Sequence, residues 1–283
     1  MYAAVQPLLM RLDPERAHTL TLDLLRTAHR LGLLPRPQPH ASGSAIERMG
    51  LVFANRVGLA AGFDKNGVCI DALGRLGFGF IEVGTITPRP QPGNPRPRVF
   101  RLRESRAVIN RLGFPNQGVE ALAPRLAQRR FQGVCGVNIG KNAATPLDEA
   151  GADYAACLKA VYARADYVVL NISSPNTARL RELQQQSLLA PLLESLLELR
   201  GHLAREHGRH VPLLVKLSPD LTEEDLSATA RIIGSLGVEG VIATNTTIRR
   251  PGLEGHPGAS EPGGLSGTPL LELSLGAVRR LRA

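Results

Sequence analysis

The chain has 283 residues, and the 43% that are hydrophobic supply a core for one large domain or two small ones, which excludes a disordered or fibrous chain. Its formal charge of +9, from 34 basic against 25 acidic residues, raises nucleic acid or an anionic membrane surface as partners. Trp is absent, aromatics are 4% and the arginines are scattered, so stacking platforms and a compact basic patch are missing and nucleic-acid binding is disfavoured.

Residues 1–34 predict two short helices. Asp13-Pro14-Glu15 is a helix start, with a capping Asp, Pro at the first helical position and an acid in the first turn. Ala17, Leu20, Leu24, Ala28 and Leu31 then recur at helical spacing and give one apolar face. Residues 35–44, PRPQPHASGS, read as a linker, and a domain boundary is expected there.

From Val57 onward, in the unit 45–283, one grammar repeats: a short apolar run, a polar or Gly cluster, then a helical segment. The runs are VGLAAG, FIEVG, GVCGVNIG, YVVLNIS, VPLLVKLS and GVIATNTT. Such near-continuous apolar runs are the signature of buried parallel strands, and six in a row without a GxGxxG turn predict an α/β fold of the (β/α)8 TIM-type barrel class. Lys65, Thr85, Asn138, Lys141, Asn171, Ser174, Lys216, Thr244 and Asn245 all fall at the C-terminal ends of these runs, the face where barrels bind ligands. Only four lysines stand against 30 arginines, and three of the four sit at those ends. A barrel needs eight units, so two further strands with their helices, on the order of 60 residues, are expected beyond the sixth.

Cys69, Cys135 and Cys157 fit neither a CxxC nor a Cys/His ligand pattern, so no disulfide framework and no metal site is expected. No run reaches the roughly 18 to 20 apolar residues that a spanning helix requires, and the N-terminus lacks the pattern of a signal peptide. The stretch NISSPNT remains open between a Ser-Pro turn and a site floor, and Lys216 between a flavin-type and a Schiff-base lysine.

In this order, AAGFDKNG (60–67), GTITPRPQPGNPRPRVFRL (84–102), INRLGFPNQG (109–118), NIGKN (138–142), NISSPNT (171–177), VKLSPD (215–220), ATNTT (243–247) and GGLSG (263–267) resemble the dihydroorotate dehydrogenase family. The match runs from about Pro14 to the last residue. The N-terminal helical unit and the Ser at position 174 resemble the quinone-dependent class; the soluble class usually has Cys there and lacks the extension. A soluble fumarate- or NAD-linked enzyme and an inactive barrel fragment are the alternative readings.

The resemblance implies oxidation of (S)-dihydroorotate to orotate in pyrimidine (UMP) biosynthesis, with FMN as cofactor and a membrane quinone as acceptor. It implies Ser174 as the base that removes the C5 proton and Thr177 as the start of a proton relay, while Ser173 is structural. A free serine hydroxyl is a poor base and needs its surroundings to activate it. The implied substrate-binding residues are Lys65, Asn110, Arg111, Leu112, Gly113, Phe114, Asn171, Asn176, Asn245 and Thr246, since side-chain amides offer both donor and acceptor to a pyrimidine. The implied flavin-binding residues are Ala61, Gly62, Phe63, Asp64, Lys65, Thr85, Asn138, Asn171, Lys216, Thr244 and Gly267, with Lys216 as the cation beside the N1 and O2 edge.

His18 and Arg101 match positions lining a quinone tunnel, and residues 1–34 are implied to lie in the membrane interface, peripheral to the cytoplasmic face. The resemblance assigns no role to Lys141, and a packing or salt-bridge role is expected of it. The family's usual Gly after residue 178 is Arg179 here, so a left-handed backbone at that point would strain the loop. The family's seventh and eighth strands carry the turns that hold the FMN phosphate, so an open barrel with part of its flavin site is expected.

Overall fold

The computed structural model describes residues 2–35 and 44–282, with side chains from Gln6 onward apart from Leu8; the expected linker lies, at positions 36–43, outside the described residues. Two helices open the chain, α1 (Tyr2–Arg11) and α2 (Pro14–Arg30). Asp13 caps α2, its Oδ1 accepting from the amides of Glu15 at 3.1 Å and Arg16 at 3.0 Å, and Pro14 sits where its missing N–H leaves nothing unpaired. The expected single apolar face divides. Ala17 is buried, but Leu20, Leu24 and Leu31 are 42%, 56% and 66% exposed, and Leu22 and Leu25 pack inward instead. Helical spacing identifies apolar faces without saying which of two adjacent ones meets the domain.

A hairpin of β1 (Ile46–Arg48) and β2 (Leu51–Phe53) turns at Met49 and Gly50, both left-handed, as a two-residue hairpin loop requires. The chain then runs through β3 (Gly58–Leu59), α3 (Ile70–Gly74), β4 (Phe80–Ile86), β5 (Val99–Leu102), β6 (Ala107–Asn110), α4 (Val119–Gln128), β7 (Val134–Ile139) and α5 (Ala150–Val161). It continues with β8 (Tyr167–Asn171), α6 (Gln186–His207), β9 (Leu213–Leu217), α7 (Glu223–Ser235), β10 (Gly240–Ala243), β11 (Gly264–Gly267) and α8 (Leu271–Arg282). All six strands expected from the apolar runs form one parallel sheet, in the order β10-β9-β8-β7-β4-β3. The sheet curls with helices outside it, an α/β half-barrel of the TIM type. A three-stranded antiparallel sheet, β11-β6-β5, was not legible beforehand. Its strands are four residues long, and β11 pairs with β6 across more than 150 positions, a register that local pattern does not encode.

Side chains alternate across each parallel strand. Ile81 and Val83, Cys135 and Val137, Val168 and Leu170, and Leu213 and Val215 join the buried cluster shared with the helices. Burying each such aliphatic side chain contributes about 1.5–3 kcal/mol, which makes this face the adhesive of the fold. The opposite, concave face holds Val134, Tyr167, Val169 and Leu214, against which Met49, Leu51 and Phe53 of the hairpin pack. The hairpin therefore plugs the end of the sheet where its strands begin. At the end where they finish, the concave face turns polar.

Candidate active site

The strand ends meet around a cavity of about 340 Å³. Ala61 and Gly62 border it after β3, Thr85 in β4, Asn171 and Ser174 at and after β8, Lys216 in β9, and Thr244, Asn245 and Thr246 after β10. Asn110 of β6 and the following Leu112, Gly113 and Phe114 form a wall, with Lys65 and Asn176 completing the rim. Gly113 has φ +70 and an added Cβ would sit 2.7 Å from the Asn94 side chain, so only Gly fits the turn that presents Phe114. A larger cavity of about 610 Å³ between the 89–94 and 142–149 loops carries none of the candidate catalytic or binding side chains.

Ser174 is buried at the cavity, and its Oγ accepts from the Asn176 amide at 3.2 Å, so the Ser-Pro turn and the reactive hydroxyl are one structure. Thr177 lies just behind, with an Oγ1 that is buried and finds no partner among the described residues. Ser173 is fully buried, donates to Asn171 Oδ1 at 3.3 Å and accepts from Asn245 Nδ2 at 3.1 Å, which makes it a structural residue. Asn176 Nδ2 donates to Asn110 Oδ1 at 3.2 Å, tying the β8 loop to the opposite wall.

Lys65 bends back to donate to the Gly62 carbonyl at 2.7 Å. Burial lowers its pKa to about 8; Glu15 acts against this and Arg98 with it. The Lys216 ammonium is buried at the cavity wall and makes no hydrogen bond to any described residue. A buried cation with Glu82 in electrostatic reach but no hydrogen-bond partner, at the cavity wall, fits an electron-rich or anionic ligand edge, as the flavin reading requires.

Six candidates stand back from the cavity. Asn138 is wholly buried one layer below it. Asp64 is also buried, its carboxylate accepting from the amides of Val68 at 3.0 Å and Cys69 at 2.7 Å, so it braces the turn into α3. Phe63 carries its ring against His18 and its carbonyl 2.6 Å from His18 Nε2. Arg111 turns its guanidinium to Glu261 at 2.6 Å over the Phe100 ring and does not border the cavity. Gly267 (φ +97) lies against the Arg106 backbone, 2.3 Å from where a Cβ would be, and Thr177 is the sixth. Lys141 leaves the constellation altogether and donates to the carbonyls of Asn142 at 3.1 Å and Thr145 at 2.8 Å.

His18 and Arg101 lie where α1 and α2 meet the barrel. Arg101 Nη1 donates to the Leu12 carbonyl at 2.9 Å and reaches that of Met10 at 3.3 Å, and burial lowers the His18 pKa against the pull of the Phe63 carbonyl. Glu15 anchors α2 through Arg98, whose Nε and Nη2 donate to it at 3.0 and 2.8 Å. Arg179 has φ +56, the left-handed backbone at which the sequence warned of strain, and its guanidinium pairs with Glu182 at 2.8 Å.

Sequence reading missed several contributors. Ser266 and Leu270 line the cavity through the unforeseen β11 strand and its following turn. Arg181 ties three loops together, donating to the Ser173 carbonyl at 3.1 Å, the Thr246 carbonyl at 2.9 Å and Asp220 at 2.8 Å. Glu82 is buried below the cavity, where its one charge inside the apolar run FIEVG was the available signal.

Residues 45–283 match the family model described as dihydroorotate dehydrogenase. A dihydroorotate dehydrogenase (quinone) of Chromobacterium violaceum is 54% identical over 281 residues, 99% of this chain and 82% of that protein. One of Xylella fastidiosa is 55% identical over 283 residues, covering 100% and 81%. Among solved structures, dihydroorotate dehydrogenase of Eimeria tenella in complex with ferulenol superposes with a TM-score of 0.85 at 38% identity, covering 93% of this chain and 76% of that one.

Proposed function

The chain belongs to the dihydroorotate dehydrogenase family, and from that premise we propose how its residues divide the reaction. The activity is oxidation of dihydroorotate to orotate in pyrimidine biosynthesis with a quinone as acceptor, carried by a flavin, as is general in the family. The flavin is FMN in this reading. The observation that carries it is the convergence of Ser174, Lys65, Lys216 and four asparagines, Asn110, Asn171, Asn176 and Asn245, on one cavity.

The asparagines bind the pyrimidine amides, and the Lys65 ammonium holds the substrate carboxylate. Ser174 Oγ takes the C5 proton. The unpaired Thr177 Oγ1 behind it supports a relay that carries this proton away, since a serine hydroxyl keeps its basicity only if the proton moves on. A flavin held in this cavity would supply the hydride acceptor for C6 and the electron carrier to the quinone. Lys216 would hold the edge of that group and stabilise negative charge there. Phe114 and Leu112 exclude water from this side of the cavity.

No helix among the described residues is long and apolar enough to cross a membrane. In this reading α1 and α2 lie in the membrane interface at the cytoplasmic face, with the exposed Leu20, Leu24 and Leu31 stripe toward the lipid, and His18 and Arg101 line the quinone's approach. The test is the visible flavin spectrum of the purified protein followed by anaerobic titration with dihydroorotate. Bleaching that disappears in Ser174→Ala, with the flavin still bound, is expected. Full-rate bleaching in that variant would overturn the role of Ser174, and transfer to fumarate or NAD in place of quinone would overturn the acceptor.

A further inference from the structure

Glu82 lies in the concave interior of the sheet and is 4% exposed. Burial raises the pKa of this carboxyl even though the nearby Lys216 ammonium favours its charged form, so it is expensive to bury, and an apolar side chain of the same volume would be at least as stabilising. Yet the surrounding backbone is shaped to receive it. Glu82, Gly136 and Tyr167 form one cross-strand row over β4, β7 and β8. A Cβ on Gly136 would fall 2.1 Å from the Tyr167 ring, so the glycine opens the passage through which Tyr167 reaches across β7 and donates to Glu82 Oε2 at 3.1 Å. The other carboxyl oxygen, Oε1, accepts from Asn138 Nδ2 at 2.9 Å.

That second bond sets a direction for every amide above it. The reverse orientation of Asn138 would turn its carbonyl oxygen onto a carboxyl oxygen, so Oδ1 points toward the cavity. There it accepts from Thr85 Oγ1 at 2.5 Å and Asn171 Nδ2 at 3.1 Å, and Asn171 Nδ2 also donates to Thr85 Oγ1 at 2.8 Å. Asn171 Oδ1 must then accept, and it takes Asn245 Nδ2 at 3.2 Å. One polarity runs from Glu82 to Asn245, and Thr85, Asn171 and Asn245 all border the cavity. The Oε1 bond survives protonation of the carboxyl, because a proton on Oε2 has the Tyr167 hydroxyl as its acceptor.

We propose that Glu82 is a positioning residue that locks the Asn138 amide and thereby fixes which atoms of Thr85, Asn171 and Asn245 meet the flavin and the pyrimidine. This rests on the flavin and substrate reading of the cavity. The experiment compares Glu82→Gln, which keeps an acceptor toward Asn138, with Glu82→Met, which fills the volume without one. Flavin affinity, dihydroorotate KM and kcat per bound flavin are measured on the full chain. Glu82→Met weakens flavin binding and raises KM each by about tenfold, with kcat per bound flavin changed less than about threefold; Glu82→Gln stays within about threefold of wild type on all three. Adding Asn138→Ala to Glu82→Met produces no further loss than Asn138→Ala alone. Wild-type behaviour of Glu82→Met, equal damage from Gln and Met, or additive losses in the double variant overturn the lock. Failure of the wild-type protein to bind flavin would sink the reading of the cavity instead. The lock is then read in the flavin-free chain as slow exchange of the Asn138 side-chain amide protons, kept in Glu82→Gln and lost in Glu82→Met, and fast exchange in the wild type overturns it.

Discussion

Along α2 and at its C-cap, Leu20, Leu24 and Leu31 stand open to solvent, and polar contacts from Glu15 and His18 help hold the helix to the barrel. From beneath the cavity to its wall, Glu82, Asn138 and Asn171 are buried and every one is hydrogen-bonded to the next. The first arrangement leaves an apolar surface for something else to cover; the second leaves almost no freedom in the groups that would face a ligand. The exposed leucines leave α2 with less apolar burial than the sheet, so the helical unit is expected to open before the floor even though its Glu15–Arg98 pair is largely buried. Such a division suits an enzyme that must hold one substrate rigidly and admit a second, the quinone.

The sharpest break is at the floor. Ser174→Ala is expected to lower dihydroorotate oxidation by about 10²–10⁴-fold, the usual contribution of a positioned base, with flavin content unchanged by absorbance. At the junction, Glu15→Gln leaves the Arg98 guanidinium, 6% exposed, without its carboxylate and is expected to destabilise the protein by about 3 kcal/mol in chemical unfolding. Replacing Leu20 and Leu24 together by Ser should reduce quinone turnover in vesicles by at least about tenfold while leaving reduction of a soluble dye unchanged, because both side chains are exposed and their loss leaves the core alone. Equal effects on quinone and dye would erase the distinction between the two regions.

Lys65 joins the two regions, since Glu15 and Arg98 both act on its charge. Its folded pKa, about 8, lies below the ordinary 10.5, so the ammonium is present below about pH 8 and is lost as pH rises through that value. Affinity for the substrate carboxylate therefore falls above about pH 8, seen as a falling limb of kcat/KM. Glu15→Gln moves that limb to lower pH, because Glu15 favours the charged form. Stability has the opposite sign: the unfolded chain holds this proton more tightly, so the contribution of Lys65 to stability improves as pH rises between about 8 and 10.5. The smallest effect is expected at Arg179→Gly, where relief of the left-handed backbone is partly offset by loss of an exposed ion pair, raising Tm by about 2 °C at most.

The apolar runs were legible as six parallel strands because buried strands carry their environment in every residue, and the order of strand ends already grouped Lys65, Asn171, Ser174, Lys216 and Asn245, while Asn110 and Asn176 came from the family motifs alone. Family motifs added roles to those positions but not their orientations. Arg111 and Lys141 sit in the right motifs and face elsewhere, toward Glu261 and toward the Asn142 and Thr145 carbonyls, because a side chain's direction depends on partners that lie far along the chain. The same holds for α2, where the periodicity announced an apolar face and the packing of Leu22 and Leu25 decided which face stayed outside. By itself the sequence determined the strand sequence, the helix start at Asp13 and the residue types gathered at one end. Only the tertiary structure decided the β11-β6-β5 sheet, the depth of Asn138 and the link from Tyr167 through Glu82 to the cavity. Those depend on cross-strand register and on a missing Cβ at Gly136, which exist only once distant segments pack together.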